Sequence, residues 1–321
     1  MGQRVNYILI EKDNGTIHYN HWRANCIASD LYLGEKRFLE FVRTCKVVDV
    51  LLDEVWIEGC VIIDVDRKIL CFWSCEFGRA SVDDFYLKKL QNKWEKWSLR
   101  LLYNKMYDVE QILNIDYIAE QESRAPQEYT IKEVADDELD EWLNTVVIVK
   151  TENLFHITKT GASLTTILNL GNTVIDVLLS KKKYELPKEE DDEVWGSIII
   201  DTVSKQITID TSECGLWEQT RDKWNGYNFT MGDYGYIGIL KGTNIDVEKL
   251  VMPLEKINEE FADMVRRAEN FDPVDMAKRL LQADNDIKFS PDFFDAVHPK
   301  QTLIEKITKV IKRLTRNRRQ Q

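Results

Sequence analysis

Residues 59–64 read Gly-Cys-Val-Ile-Ile-Asp, and residues 196–201 read Gly-Ser-Ile-Ile-Ile-Asp. Each of these apolar runs is followed, after a few polar residues, by a second apolar run, which is the pattern of a β-hairpin. Two hairpins with nearly the same sequence in one chain of 321 residues indicate an internal repeat.

Further matches occur in the same order on both sides of this hairpin. Before it, Asn6–Glu11 with Ile17-His18 matches Thr145–Lys150 with Phe155-His156, Leu31–Gly34 matches Leu168–Gly171, and Glu54–Trp56 matches Glu193–Trp195. After it, Lys93-Trp94 matches Lys223-Trp224, and Leu99–Tyr103 with Asp108–Ile112 matches Ile237–Lys241 with Asp246–Leu250. The sequence therefore predicts a tandem duplication of a unit of roughly 110 residues.

Each unit has the pattern strand, strand, helix, strand, strand, helix, strand, short helix. Local strand pairs of this kind predict an α+β fold, with two tandem repeats of an antiparallel or mixed sheet that carries helices on one face. The predicted boundaries are 1–117 for the first repeat, 118–142 for a linker and 143–250 for the second repeat. Residues 251–321 are predicted to form an α-helical C-terminal segment.

The cysteines and the apolar runs favour a cytoplasmic protein. Six cysteines show no disulfide-framework spacing, and most lie inside apolar runs, where a reduced cysteine behaves as a small hydrophobic residue. The start of the chain lacks a signal-peptide pattern, and no apolar run reaches the roughly 18–20 residues that span a bilayer.

Charge is divided unevenly along the chain, whose formal net charge is −12. Residues 299–321 hold eight Lys or Arg residues and one acidic residue, so the rest of the chain is strongly acidic. An acidic body favours a basic partner. The predicted last helix carries Lys309, Lys312, Arg313 and Arg316 around an apolar face, which either docks on the protein, pairs in a homodimer, or contacts nucleic acid or a membrane surface.

Residues kept in both repeats are expected to serve the fold. We expect core positions for Trp56, Trp94, Trp195 and Trp224, tight backbone positions for Gly34, Gly59, Gly171 and Gly196, and structural roles for the matched His18 and His156. Asp64 and Asp66 are expected to bond locally in a hairpin turn. The acidic run Lys188–Glu193 is expected to be a solvated loop, with a cation or basic-protein contact as the alternative.

Polar groups present in only one repeat are better candidates for a site. The clearest set follows the first hairpin and comprises His21, Trp22, Arg23 and Asn25, with Arg4 as an addition. Arginine can grip phosphate or carboxylate, tryptophan can stack, and histidine can move a proton. The alternative is a packed tryptophan beside a surface histidine, since consecutive strand residues point to opposite faces.

Catalytic and cofactor motifs are absent from the sequence. No Walker loop, dinucleotide fingerprint, nucleophile elbow or zinc-protease motif is present. Cys71 and Cys75 lack a second ligand pair at zinc-finger spacing, so no metal site is predicted. The sequence predicts no catalytic residue and no cofactor.

Three stretches of the first repeat carry a resemblance. They are Met1-Gly-Gln-Arg-Val-Asn6, His21-Trp-Arg-Ala-Asn25 and Leu52-Asp-Glu-Val-Trp-Ile-Glu-Gly59, followed by Asp64-Val-Asp-Arg67. Over residues 1–117 the chain resembles an uncharacterised family of bacterial proteins, many of them actinobacterial. The resemblance implies a bacterial cytoplasmic origin and implies no activity.

Two functions from different classes remain open. The first is a non-enzymatic protein that binds and neutralises or scaffolds a basic partner protein, such as an immunity or bacterial defence component. The second is an enzyme or sensor for a small anionic ligand such as a nucleotide, held at the Arg/His/Trp set or between the repeats.

Overall fold

The structure is a computed structural model that describes residues 3–53, 55–115, 128–136, 145–152, 154–190, 194, 196–210 and 220–270. Residues Gln3–Ala268 form one compact unit. Met1–Gly2 and Glu269–Gln321 are grouped separately from it and lie almost entirely outside the described ranges.

The first repeat alternates strand pairs with helices. Its elements are β1 (Val5–Glu11), β2 (Asn14–Asn20), α1 (Ile27–Tyr32), α2 (Glu35–Val42), β3 (Lys46–Val48), β4 (Gly59–Asp64), β5 (Ile69–Ser74), α3 (Ala80–Gln91), β6 (Ser98–Leu101) and α4 (Met106–Leu113).

The second repeat follows a short helix, α5 (Ile131–Ala135), which begins with a capping box between Thr130 and Glu133. Its elements are β7 (Thr145–Lys150), β8 (Phe155–Thr160), α6 (Leu164–Leu170), α7 (Val174–Ser180), β9 (Gly196–Asp201), β10 (Gln206–Ile209), β11 (Asn228–Met231) and α8 (Gly235–Leu240), and the described chain ends with α9 (Leu254–Asn270).

The two sheets share one strand order. The first sheet runs β3-β2-β1-β4-β5-β6, and the second runs β8-β7-β9-β10-β11, so only the edge strand β3 lacks a counterpart among the described residues. In the first sheet β1 pairs antiparallel with β2 and parallel with β4, and in the second β7 pairs antiparallel with β8 and parallel with β9. The predicted α+β fold with two mixed-sheet repeats is confirmed.

Matching hydrogen bonds identify equivalent positions in the two repeats. The indole Nε1 of Trp94 donates to the carbonyl of Leu31 at 2.9 Å, and that of Trp224 donates to the carbonyl of Leu168 at 2.9 Å. Both tryptophans are 1% exposed, as expected for core positions. Each indole, which precedes the last strand of its sheet, thus donates to a carbonyl near the C-terminal end of a helix, α1 in the first repeat and α6 in the second.

Glycine is required just before α2 in the first repeat and just after α6 in the second. Gly34 and Gly171 both have positive φ, at 84° and 63°, a region that other residues rarely adopt. A Cβ at Gly171 would lie 2.2 Å from the carbonyl oxygen of Lys223. Repetition of this conformation confirms the prediction of tight backbone positions at Gly34 and Gly171.

Helices cover both faces of each sheet. On one face α1, α2 and α3 pack against alternate residues of β1, β4 and β5, such as Tyr7, Val61 and Phe72. On the other face α4 supplies Met106 and Val109 to a second core, and α8 does the same in the second repeat. The structure therefore adds a helix on the second face to the helical face that the sequence predicts.

The strand register changes which residues of the two repeats are equivalent. Val5 pairs with Gly59 and Thr145 pairs with Gly196, so Thr145 corresponds to Val5 rather than to Asn6. His18 lies opposite Tyr7, and the residue opposite Val147 is Thr158. The prediction that His18 and His156 are repeat equivalents was wrong, because His156 lies opposite Val149, two residues away from the position that matches His18.

The end of the second repeat also differs from the prediction. Leu99–Tyr103 was matched to Ile237–Lys241, but the counterpart of β6 is β11, and residues 237–240 belong to α8. Asp246–Leu250, predicted as a short helix, forms turns. A short apolar run such as Ile237–Leu240 fits a buried helix as well as a strand, so periodicity could not separate them.

Glu189 holds the two repeats together. Its carboxylate accepts hydrogen bonds from the backbone N–H and the hydroxyl of Ser81, at 2.9 and 2.6 Å, and from the N–H of Met252 at 3.1 Å. Glu189 is 8% exposed, so the prediction of a solvated loop was wrong at this residue. The carboxylate lies at the N-terminus of α3, where the helix dipole favours a negative charge.

Helix α9 packs on the first repeat. The predicted C-terminal helical segment is confirmed over α9. Ile257 and Met264 are buried in the core beside α1 and α3, and Phe261 contacts the rings of Tyr32 and Phe85. The C-terminal helix therefore returns to the first repeat after the second repeat is complete. The helices predicted beyond α9 fall outside the described ranges.

Candidate functional site

The residues at the end of β2 form a polar chain. Arg4 makes a side-chain hydrogen bond to Tyr19, whose hydroxyl lies 2.7 Å from Nδ1 of His21. The His21 ring packs against the Trp22 ring at 4.6 Å between centroids. Burial raises the pKa of Tyr19, partly offset by Arg4, so the phenol stays protonated and can donate to His21.

Three of the five predicted site residues thus come together. They are Arg4, His21 and Trp22, and Trp22 itself is buried at 5% exposure. Asn25 is half-buried, and its side-chain oxygen accepts a contact from the thiol of Cys26 at 3.3 Å. Tyr19 was missed as a member of the set, although its spacing of two residues from His21 places both on one strand face.

Arg23 faces away from this group. Its guanidinium binds both carboxylate oxygens of Asp30, with Nε to Oδ2 at 2.9 Å, and lies over the Phe41 ring. Asp30 is 1% exposed, and burial raises its pKa to about 6 although Arg23 lowers it. Arg23 therefore neutralises a buried acid and is not available to grip a ligand.

An ordered segment leads from β3 to β4 beside Arg4. The backbone N–H of Leu52 donates to the side chain of the buried Asn6 at 2.8 Å, and Glu58 exchanges two hydrogen bonds with the backbone of Arg4. The N–H of Trp56 donates to the carbonyl of Asp53 at 2.9 Å. These bonds fix the segment although much of it is exposed.

Strand β3 and the described residues that follow it present apolar side chains to solvent. Val47, Val50, Val55 and Trp56 are 60%, 73%, 62% and 56% exposed, and we call them the Trp56 surface. The guanidinium of Arg4 lies 4.9 Å from the centroid of the Trp56 ring. The prediction of a core position for Trp56 was wrong, because the aromatic ring is held against Arg4 outside the sheet, and Trp195 is not among the described residues.

A cleft of about 640 Å³ lies between the two repeats. Its described lining comes from the residues around the start of α3, from β9 and β10, from the starts of α4 and α8, and from α9. This volume is typical of small-molecule sites. The Arg/His/Trp set does not line this cleft, so the two predicted locations for a ligand are separate places.

The remaining predictions concern the aspartates of the hairpin turn, a metal site, the cysteines and membrane-spanning segments. Asp64 accepts from the N–H of Arg67, which confirms local turn bonding at Asp64. Asp66 instead accepts from the N–H of Asp13 in the turn between β1 and β2, so the prediction of local bonding was wrong at Asp66. Within the described ranges, no three His, Cys, Asp or Glu side chains group as they would around a metal. The five described cysteines are all free thiols, and no described helix is long and apolar enough to cross a membrane.

Comparisons with protein-family models, with curated proteins and with solved structures give no match for this chain.

Proposed function

We propose that this protein binds a basic partner protein through the Trp56 surface and has no catalytic role of its own. The observation that carries the proposal is the exposure of three valines and a tryptophan within ten residues, in a segment fixed by backbone hydrogen bonds. Exposed apolar clusters of this kind mark protein contacts, and tryptophan is a frequent anchor in them.

Charge favours a basic partner. Asp49 and Asp53 are exposed within the same segment, and the chain as a whole carries a net charge of −12. Apolar anchors with exposed acidic groups beside them suit a surface that presents Lys or Arg around an apolar recess. Proteins that neutralise or scaffold a partner in the reducing interior of a bacterial cell, such as immunity or defence components, fit this description.

The anionic-ligand alternative has less support. With Arg23 bound to Asp30, Arg4 and His21 are the predicted cationic or imidazole groups that remain to hold a phosphate or carboxylate near the Trp56 surface. Arg4 also stacks on Trp56, so one variant, Arg4→Ala, bears on both functions.

The test is affinity purification of the tagged chain from its source organism, followed by mass spectrometry of proteins and small molecules. We expect a basic protein at near-stoichiometric yield with the wild-type chain and at least tenfold less with Val50→Asp or Trp56→Ala. Val203→Asp is the matched control, because Val203 is 54% exposed on the turn between β9 and β10 of the second repeat.

Two outcomes contradict the proposal. Equal yield with Val50→Asp and with Val203→Asp would show that the Trp56 surface is not the contact. Recovery of a small anion that disappears with Arg4→Ala, without a protein partner, would support the alternative instead. Raised salt should weaken a genuine basic partner, because screening removes the electrostatic part of the attraction.

A further inference from the structure

Beyond protein binding, we propose that the cleft between the repeats binds a small organic cation, such as an amine. The cleft lies apart from the Trp56 surface and does not depend on the function proposed there. Its carboxylates, its tyrosine pair and a buried serine argue for this ligand class.

The second repeat departs from the first where it faces the cleft. Cys60 and Trp73 are paired across β4 and β5 and are buried in the core beneath α4. In the second repeat Ile198 pairs with Ile209, so Ser197 and Asp210, one residue further along the chain in each direction, occupy the matching positions, and both line the cleft. Polar residues therefore replace an apolar pair where the second sheet borders the cleft.

Ser197 is 1% exposed, and its hydroxyl has no hydrogen-bond partner in the part of the chain that the structure describes. A buried hydroxyl without a partner is unfavourable, and few such groups remain in native proteins. Ile198 and Ile200 of β9 belong to the core that α6 and α7 cover, so the alternation of the strand turns Ser197 to the opposite face, where it lines the cleft. A polar ligand in the cleft would supply the missing partner.

Charge in the cleft favours a cation. The described lining contains five acidic residues and three basic residues, and both arginines are already engaged, Arg79 with Glu260 and Arg267 with Glu76. Asp83 is 2% exposed and accepts from the N–H of Gly78, and burial together with nearby acids raises its pKa. An anionic ligand would add repulsion there, whereas a cation would relieve it.

Aromatic groups complete the site. Tyr103 of the first repeat and Tyr234 of the second stack with their centroids 4.0 Å apart. Burial and neighbouring aspartates raise the pKa of Tyr103 to about 12, so its phenol remains a neutral donor. The faces of tyrosine rings, together with carboxylates, are the groups that recognise organic ammonium ions.

Three probes of one shape test the charge of the ligand. Phenethylamine, 2-phenylethanol and phenylacetate are titrated into the full chain, and binding is followed by calorimetry and by NMR shifts of the Ser197 and Gly235 amides. We expect the amine to bind and the alcohol and the acid to bind at least tenfold more weakly. No binding of the amine, or equal binding of the acid, overturns the proposal.

Variants locate the binding. Asp210→Asn is expected to weaken phenethylamine at least tenfold, and Ser197→Cys, which introduces the residue found at this position of the first repeat, is expected to weaken it several-fold. Asp246→Asn is the control, since Asp246 is exposed in the turns after α8. Circular dichroism confirms folding of each variant, and an amine affinity unchanged in both Asp210→Asn and Ser197→Cys places the amine elsewhere and overturns the proposal.

Discussion

At the scale of single residues, buried charge decides which arginine can act. Arg4 and Arg23 lie near the same strand in the sequence and both carry a planar cation. Arg23 is bound to an aspartate that is 1% exposed, whereas Arg4 stacks on an exposed indole. A cation that compensates a buried acid stabilises the fold, and a cation on an exposed ring remains available to a partner.

Arg23→Ala is therefore expected to lower the free energy of unfolding by about 3 kcal/mol, because it leaves Asp30 buried without its countercharge. Arg4→Ala is expected to lower it by less than about 1 kcal/mol, since its contacts are partly exposed. Urea denaturation of the two variants measures both values. Similar losses for both would contradict the assignment, and Arg23→Ala combined with Asp30→Ala should recover part of the loss.

At the scale of helices and strands, the two repeats are joined by caps and by α9 rather than by a shared sheet. Glu189 accepts from α3 of the first repeat and from Met252 just before α9. Helix α9 then continues along α1, where the hydroxyl of Ser29 donates to the carbonyl of Val265 at 2.9 Å. The buried carboxylate of Glu189 thus connects its own segment to α3 and to the residue just before α9, which are far apart in sequence.

Glu189→Ala should destabilise the protein by about 2 kcal/mol, through loss of the carboxylate at the N-terminus of α3 and of the bond to Met252. The matched control is Glu185→Ala, an exposed residue of the same segment, with an expected change below about 0.5 kcal/mol. Thermal unfolding of both variants by calorimetry checks the difference. A loss no larger than that of Glu185→Ala would mean that Glu189 does not join the repeats.

At the scale of the whole molecule, burial of acids makes stability depend on pH. Burial raises the pKa of Glu76 to about 8 although Arg267 lies 3.0 Å away, and it raises that of Asp30 to about 6. A carboxyl whose pKa is raised by folding stabilises the folded state below its unfolded pKa, and that stabilisation is lost as pH rises through the folded pKa. Asp201, whose pKa is lowered to about 2, has the opposite effect on stability. It stabilises the folded state above its unfolded pKa, and this stabilisation is lost only in acid.

The free energy of unfolding is therefore expected to fall from pH 5 to pH 8, with Glu76 alone contributing a change on the order of 3 kcal/mol. Glu76→Gln should remove most of this slope, because glutamine does not titrate. Urea denaturation at pH 5, 6.5 and 8 provides the measurement. A wild-type slope retained by Glu76→Gln would assign the pH dependence to other groups, such as Asp30 or Asp83.

Much of this architecture follows from the sequence by itself. The apolar hairpins, the repeat, the glycines before α2 and after α6, the core tryptophans and the stripe of α9 depend on residues close together in the chain, so local patterns predict them. Polar residues present in only one of the two repeats were also predicted to mark a site. Such residues were named in the turn after β2, whereas Ser197 and Asp210 were not recognised.

Only the tertiary structure decided the remaining features. Arg23 binds Asp30 across a helix turn, Glu189 caps a helix more than 100 residues away, and Trp56 lies outside the core because Arg4 and Asn6 fix the segment around it. Likewise, the cleft exists because α9 returns to the first repeat and brings its charged face beside the second sheet. Hydrogen bonds and ion pairs between distant elements produce no periodic pattern in the sequence. Local patterns therefore predict the fold, whereas the contacts that form the candidate sites are known only from the tertiary structure.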